Sequence, residues 1–275
     1  MGYIFWLASY PKSGNTWLRV FLRNLLDVGA RKDLNSLHER FPYDVGAAYY
    51  RAVDPRPLNE LSSGEVLALR SKVQRSIAQQ NPHLTFVKTH SALSVVDGHH
   101  LIDPDVTIGA IYLVRNPLDV AVSFSFHIGK TIDEAIDLMN LKRAVDASTL
   151  DKAQEYFGSW SENVESWTRG ANPSIFVVRY EDMIQAPHKT FKVIARALGQ
   201  EPVSSDLNRA IQASSFRVLQ AQEARNGFSE RPPFSTGPFF RNGKAGEGKK
   251  LLTASQVDRL VLAHHEQMKR FGYLP

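Results

Sequence analysis

The sequence predicts a single α/β domain over residues 1–275, with a central, mainly parallel sheet flanked by helices. Three observations predict it. Four short apolar runs, Ile4–Ala8, Leu84–Lys88, Thr107–Val114 and Ser174–Arg179, have the length and composition of buried strands. Stretches with apolar residues at helical spacing lie between them. Polar residues stand where the runs stop, which is the edge at which open α/β sheets bind ligands. No internal repeat, linker or low-complexity tract divides the chain.

The first element is written in WLASYPKSGNTWLRVFLRNLL, residues 6–26. An apolar run stops at Pro11-Lys12-Ser13-Gly14, and Trp17, Val20, Phe21, Asn24 and Leu25 then recur on one helix face. The first amides of that helix, freed by Gly14 and flanked by Ser13, Asn15 and Thr16, present unpaired donors with the positive end of the helix dipole behind them. Such a site attracts phosphate, and Lys12 adds a mobile full charge. A nucleotide-triphosphate loop needs Gly, four residues, then Gly-Lys-Ser/Thr. Here Lys12 precedes the glycine, and the only Gly-Lys-Thr, Gly129–Thr131, has Phe124 where the first glycine belongs and reads as a helix end. The octapeptide Tyr10–Trp17 instead resembles the donor-binding loop of sulfotransferases that use 3′-phosphoadenosine-5′-phosphosulfate (PAPS).

Along the rest of the chain, residues 27–61 are rich in turn formers and aromatics and read as irregular surface structure, part of it assigned to an acceptor pocket with scaffold packing as the equal alternative. Ser62 or Ser63 caps a helix to about Gln80, with Val66, Leu69, Val73 and Ile77 as its buried stripe. The second strand ends in Lys88-Thr89-His90, which is similar to the family block whose histidine is the general base; the resemblance implies that role for His90. Lys88 is expected to join Lys12 at the leaving phosphate.

After Thr107–Val114, a helix start is spelled out by Asn116 as cap, Pro117 at the first helical position and Asp119 returning a hydrogen bond to the cap. Arg115 is thereby fixed at the strand edge, with Ser123 two turns along the helix. In the family, this Arg-x-Pro-x-Asp-x-x-x-Ser block holds the donor's 3′-phosphate, and a guanidinium with a hydroxyl suits that ligand. A structural Arg115–Asp119 pair is the competing reading. Residues 117–169 are mainly helical, and Gly158–Trp167 looks like the bacterial members of the family, with Trp160, Val164 and Trp167 as a core stripe.

Arg179-Tyr180-Glu181-Asp182 closes the fourth strand, and the resemblance sets Tyr180 against adenine. Trp17 and the Ser214-Ser215-Phe216 block, similar to the family's Thr-Ser-Phe, complete that surround. Residues 223–250 read as a long polar loop. Within it Arg241-Asn242-Gly243, with Gly246 and Gly248, resembles the family's closing segment Arg-Lys-Gly-x-x-Gly-Asp-Trp over the 3′-phosphate. Asn242 stands for a basic residue and Gly248 for the tryptophan, and the segment, rich in glycine and proline and too long and polar to be held by its own packing, is expected to act as a lid that is mobile without nucleotide. A last helix is expected over 254–271, with Val257, Leu260, Val261, His264, Met268 and Phe271 on one face.

Composition bounds the chemistry. Of 275 residues 43% are hydrophobic and 22% charged, an ordinary globular balance, and the net charge of +5 is spread out in a way that suits a small polyanion and argues against nucleic acid. Without cysteine there is no disulfide, thiolate nucleophile or Cys-ligated zinc. The adjacent pairs His99-His100 and His264-His265 cannot share one metal on a helix or strand face, and no His-Glu-x-x-His occurs, so no metal is expected. No apolar run approaches a membrane span and no charged leader precedes the first strand, so a cytoplasmic protein with no membrane partner is expected.

The expected reaction moves a sulfuryl group from PAPS to a hydroxyl of a small acceptor and releases the desulfated nucleotide PAP. Aromatics at 41–50 and 228–240 suggest an apolar or aromatic acceptor. The oligomeric state is left open. Two other classes fit part of the pattern. A magnesium-dependent small-molecule kinase, of related fold, would need the metal and consume ATP, and a non-catalytic nucleotide-binding module would tolerate loss of His90.

Overall fold

A computed structural model of the protein describes residues 2–27, 33–170, 172 and 174–274. Tyr3–Ser9 forms β1 and Asn15–Leu26 forms α1; after a 3-10 turn at Leu34–Ser36 come the short helices α2, Leu37–Arg40, and α3, Ala47–Arg51, and a second turn at Leu58–Glu60. α4 spans Ser63–Gln79 and β2 Leu84–Thr89, and β3, Val95–Val96, pairs with β4, His99–His100. β5, Thr107–Val114, leads into α5, Pro117–Ile128, and α6, Ile132–Asn140. A second ribbon, β6 at Val145–Asp146 and β7 at Glu155–Tyr156, precedes α7, Trp160–Thr168, and β8, Ile175–Arg179. The chain ends in α8, Tyr180–Gln185, α9, Pro187–Ala197, α10, Ser204–Ala213, α11, Phe216–Asn226, α12, Gly248–Leu251, and α13, Ala254–Phe271.

The architecture is the expected α/β one, a central parallel sheet with flanking helices, its strands in the order β2-β1-β5-β8. β1 and β2 run parallel from Tyr3 opposite Leu84 to Ala8 opposite Thr89. That register brings the next residues, Ser9 and His90, to the same edge. By its contacts the chain forms two compact units, one of Met1–Tyr10, Phe41–Tyr112 and Leu138–Val177, the other of Pro11–Arg40, Leu113–Asp137 and Val178–Pro275.

In the first unit Ile4, Trp6 and Leu7 of β1, Val87 of β2 and Ile111 of β5 are fully buried, and the Trp6 indole donates to Thr107 Oγ1 at 2.9 Å. α4 begins on a capping box of Ser62 and Glu65 and buries Val66, Val73 and Ile77, together with Leu67, Arg70 and Gln74; Leu69 of the expected stripe is only half-buried. Trp160, Val164 and Trp167 are buried as expected, with Trp167 stacked on Tyr112 at 6.0 Å. The segment expected to be irregular surface is different. Residues 28–32 lie outside the described residues, but Phe41, Val45, Tyr50 and Leu58 are buried, and Asp44 pairs with Arg70 of α4 at 2.7 Å with both side chains inside. Phe41 and Tyr50, spaced by short helical turns, serve the core, while Tyr43 and Tyr49 are half-buried.

In the second unit α1 buries Leu18, Phe21 and Leu22, and the Phe21 ring lies 4.1 Å from that of Phe191 in α9. α5 ends at Gly129 in the left-handed conformation, so the Gly-Lys-Thr there is a helix stop. α13 starts on a capping box at Thr253 and buries Leu260, His264 and Met268; burial pushes the His264 imidazole down to about 4. Among the described residues no helix is long and apolar enough to cross a membrane.

Candidate active site

The loop after β1 is shaped by two left-handed residues, Lys12 at φ 65° and Gly14 at φ 101°. Strain of this kind at a non-glycine residue persists only where neighbours over-determine it. The Lys12 carbonyl takes a hydrogen bond from Arg115 at 3.0 Å, and a Cβ on Gly14 would lie 2.6 Å from the Tyr180 ring. Gly14 caps α1 without a side-chain bond, so the first amides of the helix have no side-chain acceptor there. Arg19, fully buried and paired with Glu230 at 2.7 Å, donates to Asn15 Oδ1 and Thr16 Oγ1 at 3.0 Å each. Their acceptor oxygens are thereby engaged, and the Thr16 hydroxyl keeps its own hydrogen to donate.

Lys12 Nζ lies 3.7 Å from the centre of the Phe239 ring and 3.5 Å from His127 Nδ1. Arg115 lies over the Tyr180 ring at 4.2 Å, and Trp17 meets that ring edge-on at 5.8 Å. Burial pushes the Tyr180 phenol up, and the Arg115 charge offsets part of this. Tyr180 thus braces Gly14 and carries Arg115, and Arg115 donates also to the Lys244 carbonyl at 3.3 Å. The competing Arg115–Asp119 pair is not formed.

Asp119 does not return a bond to its helix cap. Asn116 caps Leu118 alone, and the Asp119 carboxylate accepts the amides of Gly246 at 2.8 Å and Gly248 at 2.7 Å. The closing segment is therefore anchored to the first turn of α5. Its loop runs from Gly227 to Glu247 and not from Glu223, which lies in α11 and accepts the amides of Phe239 at 2.6 Å and Phe240 at 2.9 Å. The expected looseness of this segment assumed that it was too polar to be held by packing. Phe228, Phe239 and Phe240 pack on one another, with the first pair 4.8 Å apart, and two carboxylates hold the backbone.

Gly248 has its own reason: a Cβ there would fall 2.4 Å from the Leu118 carbonyl carbon, so the glycine permits close docking. Arg241 is paired with Glu247, at 2.6 Å for the first contact, and lies 4.6 Å from the Phe126 ring; this bonding holds the Glu247 carboxyl below the usual range. Gly243 faces the Phe216 ring so closely that a Cβ would meet it at 2.3 Å. Ser123 is half-buried on α5, one turn before His127. Ser214 is fully buried and spends its hydroxyl on the Ala210 carbonyl at 2.8 Å.

Three donors in this cluster, Ser13 Oγ, Trp17 Nε1 and Arg115 Nε, are buried without a partner among the described residues. Each costs about 1–3 kcal/mol in that condition. An anionic ligand that also carries an aromatic base would satisfy them, so the residues present fit PAPS.

In the first unit His90 follows β2. Its Nδ1 lies 2.8 Å from the Ser9 carbonyl oxygen and 3.2 Å from Ser9 Oγ. A carbonyl only accepts, so Nδ1 carries the proton and the ring lone pair is at Nε2. Asn163 of α7 donates to the His90 carbonyl at 3.0 Å, and the His90 amide donates to Glu155 at 2.9 Å. Lys88 is buried, its ammonium 4.0 Å from the Tyr43 ring.

A profile of the Sulfotransferase domain matches residues 4–272. The chain belongs to the sulfotransferase family. It is 26% identical over 275 residues to sulfotransferase 1B1 of mouse, covering 95% of this chain and 81% of that protein. It is 25% identical to the 3-alpha-hydroxysteroid sulfotransferase of guinea pig, covering 98% and 84%. Among solved structures it resembles a retinol dehydratase in complex with androsterone and the inactive cofactor PAP, at TM-score 0.65 and 21% identity over 97% of this chain and 80% of that one. It also resembles a mouse sulfotransferase complexed with PAP, at TM-score 0.63 and 20% identity over 97% and 84%. The resemblance read from the Tyr10–Trp17 octapeptide is thus to the right family, that of the PAPS-dependent sulfotransferases, and the chain is an enzyme of that family.

Sequence reasoning missed Arg19, His127 and Asp119's hold on the closing segment in the second unit, and Glu155 in the first. Arg19 carries a signal, being a charge at the i+4 and i+3 positions from Asn15 and Thr16. His127 lies four residues after Ser123 and so on the same face of α5. Glu155 and its partners lie far apart in sequence and leave no local pattern.

Proposed function

We propose that the chain transfers the sulfuryl group of PAPS to a hydroxyl of a small apolar or aromatic acceptor, with His90 as general base, and that residues 1–275 act as one sulfotransferase domain. The observation that supports it most is the 2.8 Å bond from His90 Nδ1 to the Ser9 carbonyl, because it leaves Nε2 as the basic nitrogen. PAPS supplies a sulfuryl group already bonded to a phosphate leaving group. The acceptor oxygen bonds to sulfur in line as the bond from sulfur to the phosphate oxygen breaks, and His90 Nε2 takes the hydroxyl proton.

Lys12, the amides from Ser13 to Thr16, and Lys88 stabilise the charge that passes to the leaving phosphate. Arg115, Ser123, Arg241, Asn242 and Gly243 hold the 3′-phosphate, and Trp17, Tyr180 and Phe216 surround adenine, with buried Ser214 supporting the Phe216 turn from behind. Because a sulfuryl group carries less negative charge than a phosphoryl group, ammonium groups suffice and no metal is required. The acceptor class rests on the aromatics of 41–50 and 228–240 and on the guinea pig relative, which is named for a hydroxysteroid.

The test is a panel of phenols, alcohols and amines incubated with PAPS and a metal chelator, with sulfated product and PAP both measured. The proposal expects product from a hydroxyl compound in chelator and no ATP turnover. Magnesium-dependent consumption of ATP, with none of PAPS, would overturn it in favour of a kinase.

A further inference from the structure

We propose that Glu155 is a positioning residue for the reaction: one carboxylate oxygen fixes the main chain of His90 and the other fixes Tyr43, whose ring carries the Lys88 ammonium. The inference rests on the reading of His90 as general base. Glu155 lies on β7, opposite Asp146 of β6, and its residue is only 3% exposed. Oε1 accepts the His90 amide at 2.9 Å, and Oε2 accepts the Tyr43 hydroxyl. Both carboxylate oxygens thus receive a donor.

The residues around Tyr43 are tied to the end of β2. The Lys88 amide donates to the Pro42 carbonyl at 2.8 Å, the Asp44 amide donates to the Lys88 carbonyl at 3.3 Å, and Tyr43 and Lys88 form a parallel bridge. The Lys88 ammonium lies 4.0 Å from the centre of the Tyr43 ring. The Tyr43 ring centre is also 6.1 Å from that of His90, edge to face. One buried carboxylate therefore reaches His90 directly and Lys88 through Tyr43.

The reason for a carboxylate at this place is geometric. His90 stands where β2 has ended, so the sheet ladder offers its backbone no acceptor, and a buried amide needs one. Asn163 restrains the carbonyl of His90 and Ser9 restrains its ring; Glu155 supplies the third restraint, at the amide. With the ring bond from Nδ1 preserved but the main chain loosened, Nε2 would wander from the acceptor. Misplacement of a catalytic group by about 1 Å can cost on the order of a hundredfold in rate.

Kinetics of variants test this. Glu155→Ala is expected to lower kcat by about thirtyfold while the KM for PAPS stays within about twofold. Glu155→Gln, which keeps an oxygen for the His90 amide and an amide for the Tyr43 oxygen, is expected to stay within about threefold of wild type. In a protein that already carries His90→Ala, the Glu155→Ala change is expected to cost less than about threefold, since residues that act as a unit are not additive. Should Glu155→Ala fail to fold, Tyr43→Phe carries the test, with kcat lowered about three- to tenfold and thermal stability nearly kept.

Wild-type kcat in Glu155→Ala, or in Tyr43→Phe where that variant stands in, would overturn the inference. So would an equal loss in the presence and absence of His90, which is the mark of a merely structural residue. If His90→Ala itself turns over at the wild-type rate, the reading of His90 is what fails; if His90→Ala is inactive and Glu155→Ala is not, only the role of Glu155 falls.

Discussion

Substitution of Asp119 by asparagine loosens the closing segment. The carboxylate is 1% exposed and accepts two backbone amides, Gly246 at 2.8 Å on Oδ2 and Gly248 at 2.7 Å on Oδ1. Hydrogen bonds to a charged group contribute about 1.5–3 kcal/mol each. Asparagine keeps one acceptor, loses the charge and turns an NH2 group toward the second amide, so the net loss is on the order of 2–4 kcal/mol. At about 1.4 kcal/mol per decade, opening of the segment becomes roughly thirty- to several-hundredfold more frequent. Hydrogen exchange followed at the Gly246 and Gly248 amides reads that change directly, provided exchange is limited by the opening equilibrium. Because Arg241, Asn242 and Gly243 precede these anchors on the same segment, PAP affinity is expected to fall at least about tenfold in calorimetry, the equivalent of one lost charge-assisted bond. Unchanged exchange at the two glycines would refute the reasoning, whatever happens to activity.

Glu247→Gln releases Arg241 from its ion pair, so PAP is expected to bind about three- to tenfold tighter at low salt, and an unchanged or weaker affinity would show that the pair does not compete with the nucleotide. His264 titrates at about 4 in the folded chain and near 6.5 when unfolded, so the unfolded state binds the proton more readily between those values. The stability it contributes is present above the unfolded value and is lost as pH falls toward 4, about 2 kcal/mol between pH 7 and pH 5. Urea unfolding of the wild type and of His264→Gln at both pH values checks this, since the variant lacks that part of the slope.

Much of the fold was legible because its signals are local. The β-branched run Thr107–Val114 forms β5 over those same residues, Asn116 and Pro117 open α5, and Ala254–Phe271 is the last helix as its periodicity predicts. The family was legible for the same reason, from one contiguous octapeptide, Tyr10–Trp17. What could not be read depends on partners distant in sequence. Asp119 follows a cap pattern that would normally turn it back on its own helix, yet its acceptors are taken by amides more than a hundred residues away. The closing segment looked loose because Glu223, which secures Phe239 and Phe240, is helical and outside the glycine-rich stretch. The aromatics of 41–61 signalled a surface loop by their proline and tyrosine content, whereas the buried Asp44–Arg70 pair that draws them inward has no signature in spacing.

The central claim is that His90 removes the acceptor proton while other residues hold the donor. The most direct measurement is kcat for His90→Ala with an unactivated alcohol, taken beside the Kd for PAP of the same preparation. The account predicts a loss of about a hundred- to ten-thousandfold in kcat, with PAP affinity within about twofold of wild type. Wild-type turnover with PAP still bound would contradict it.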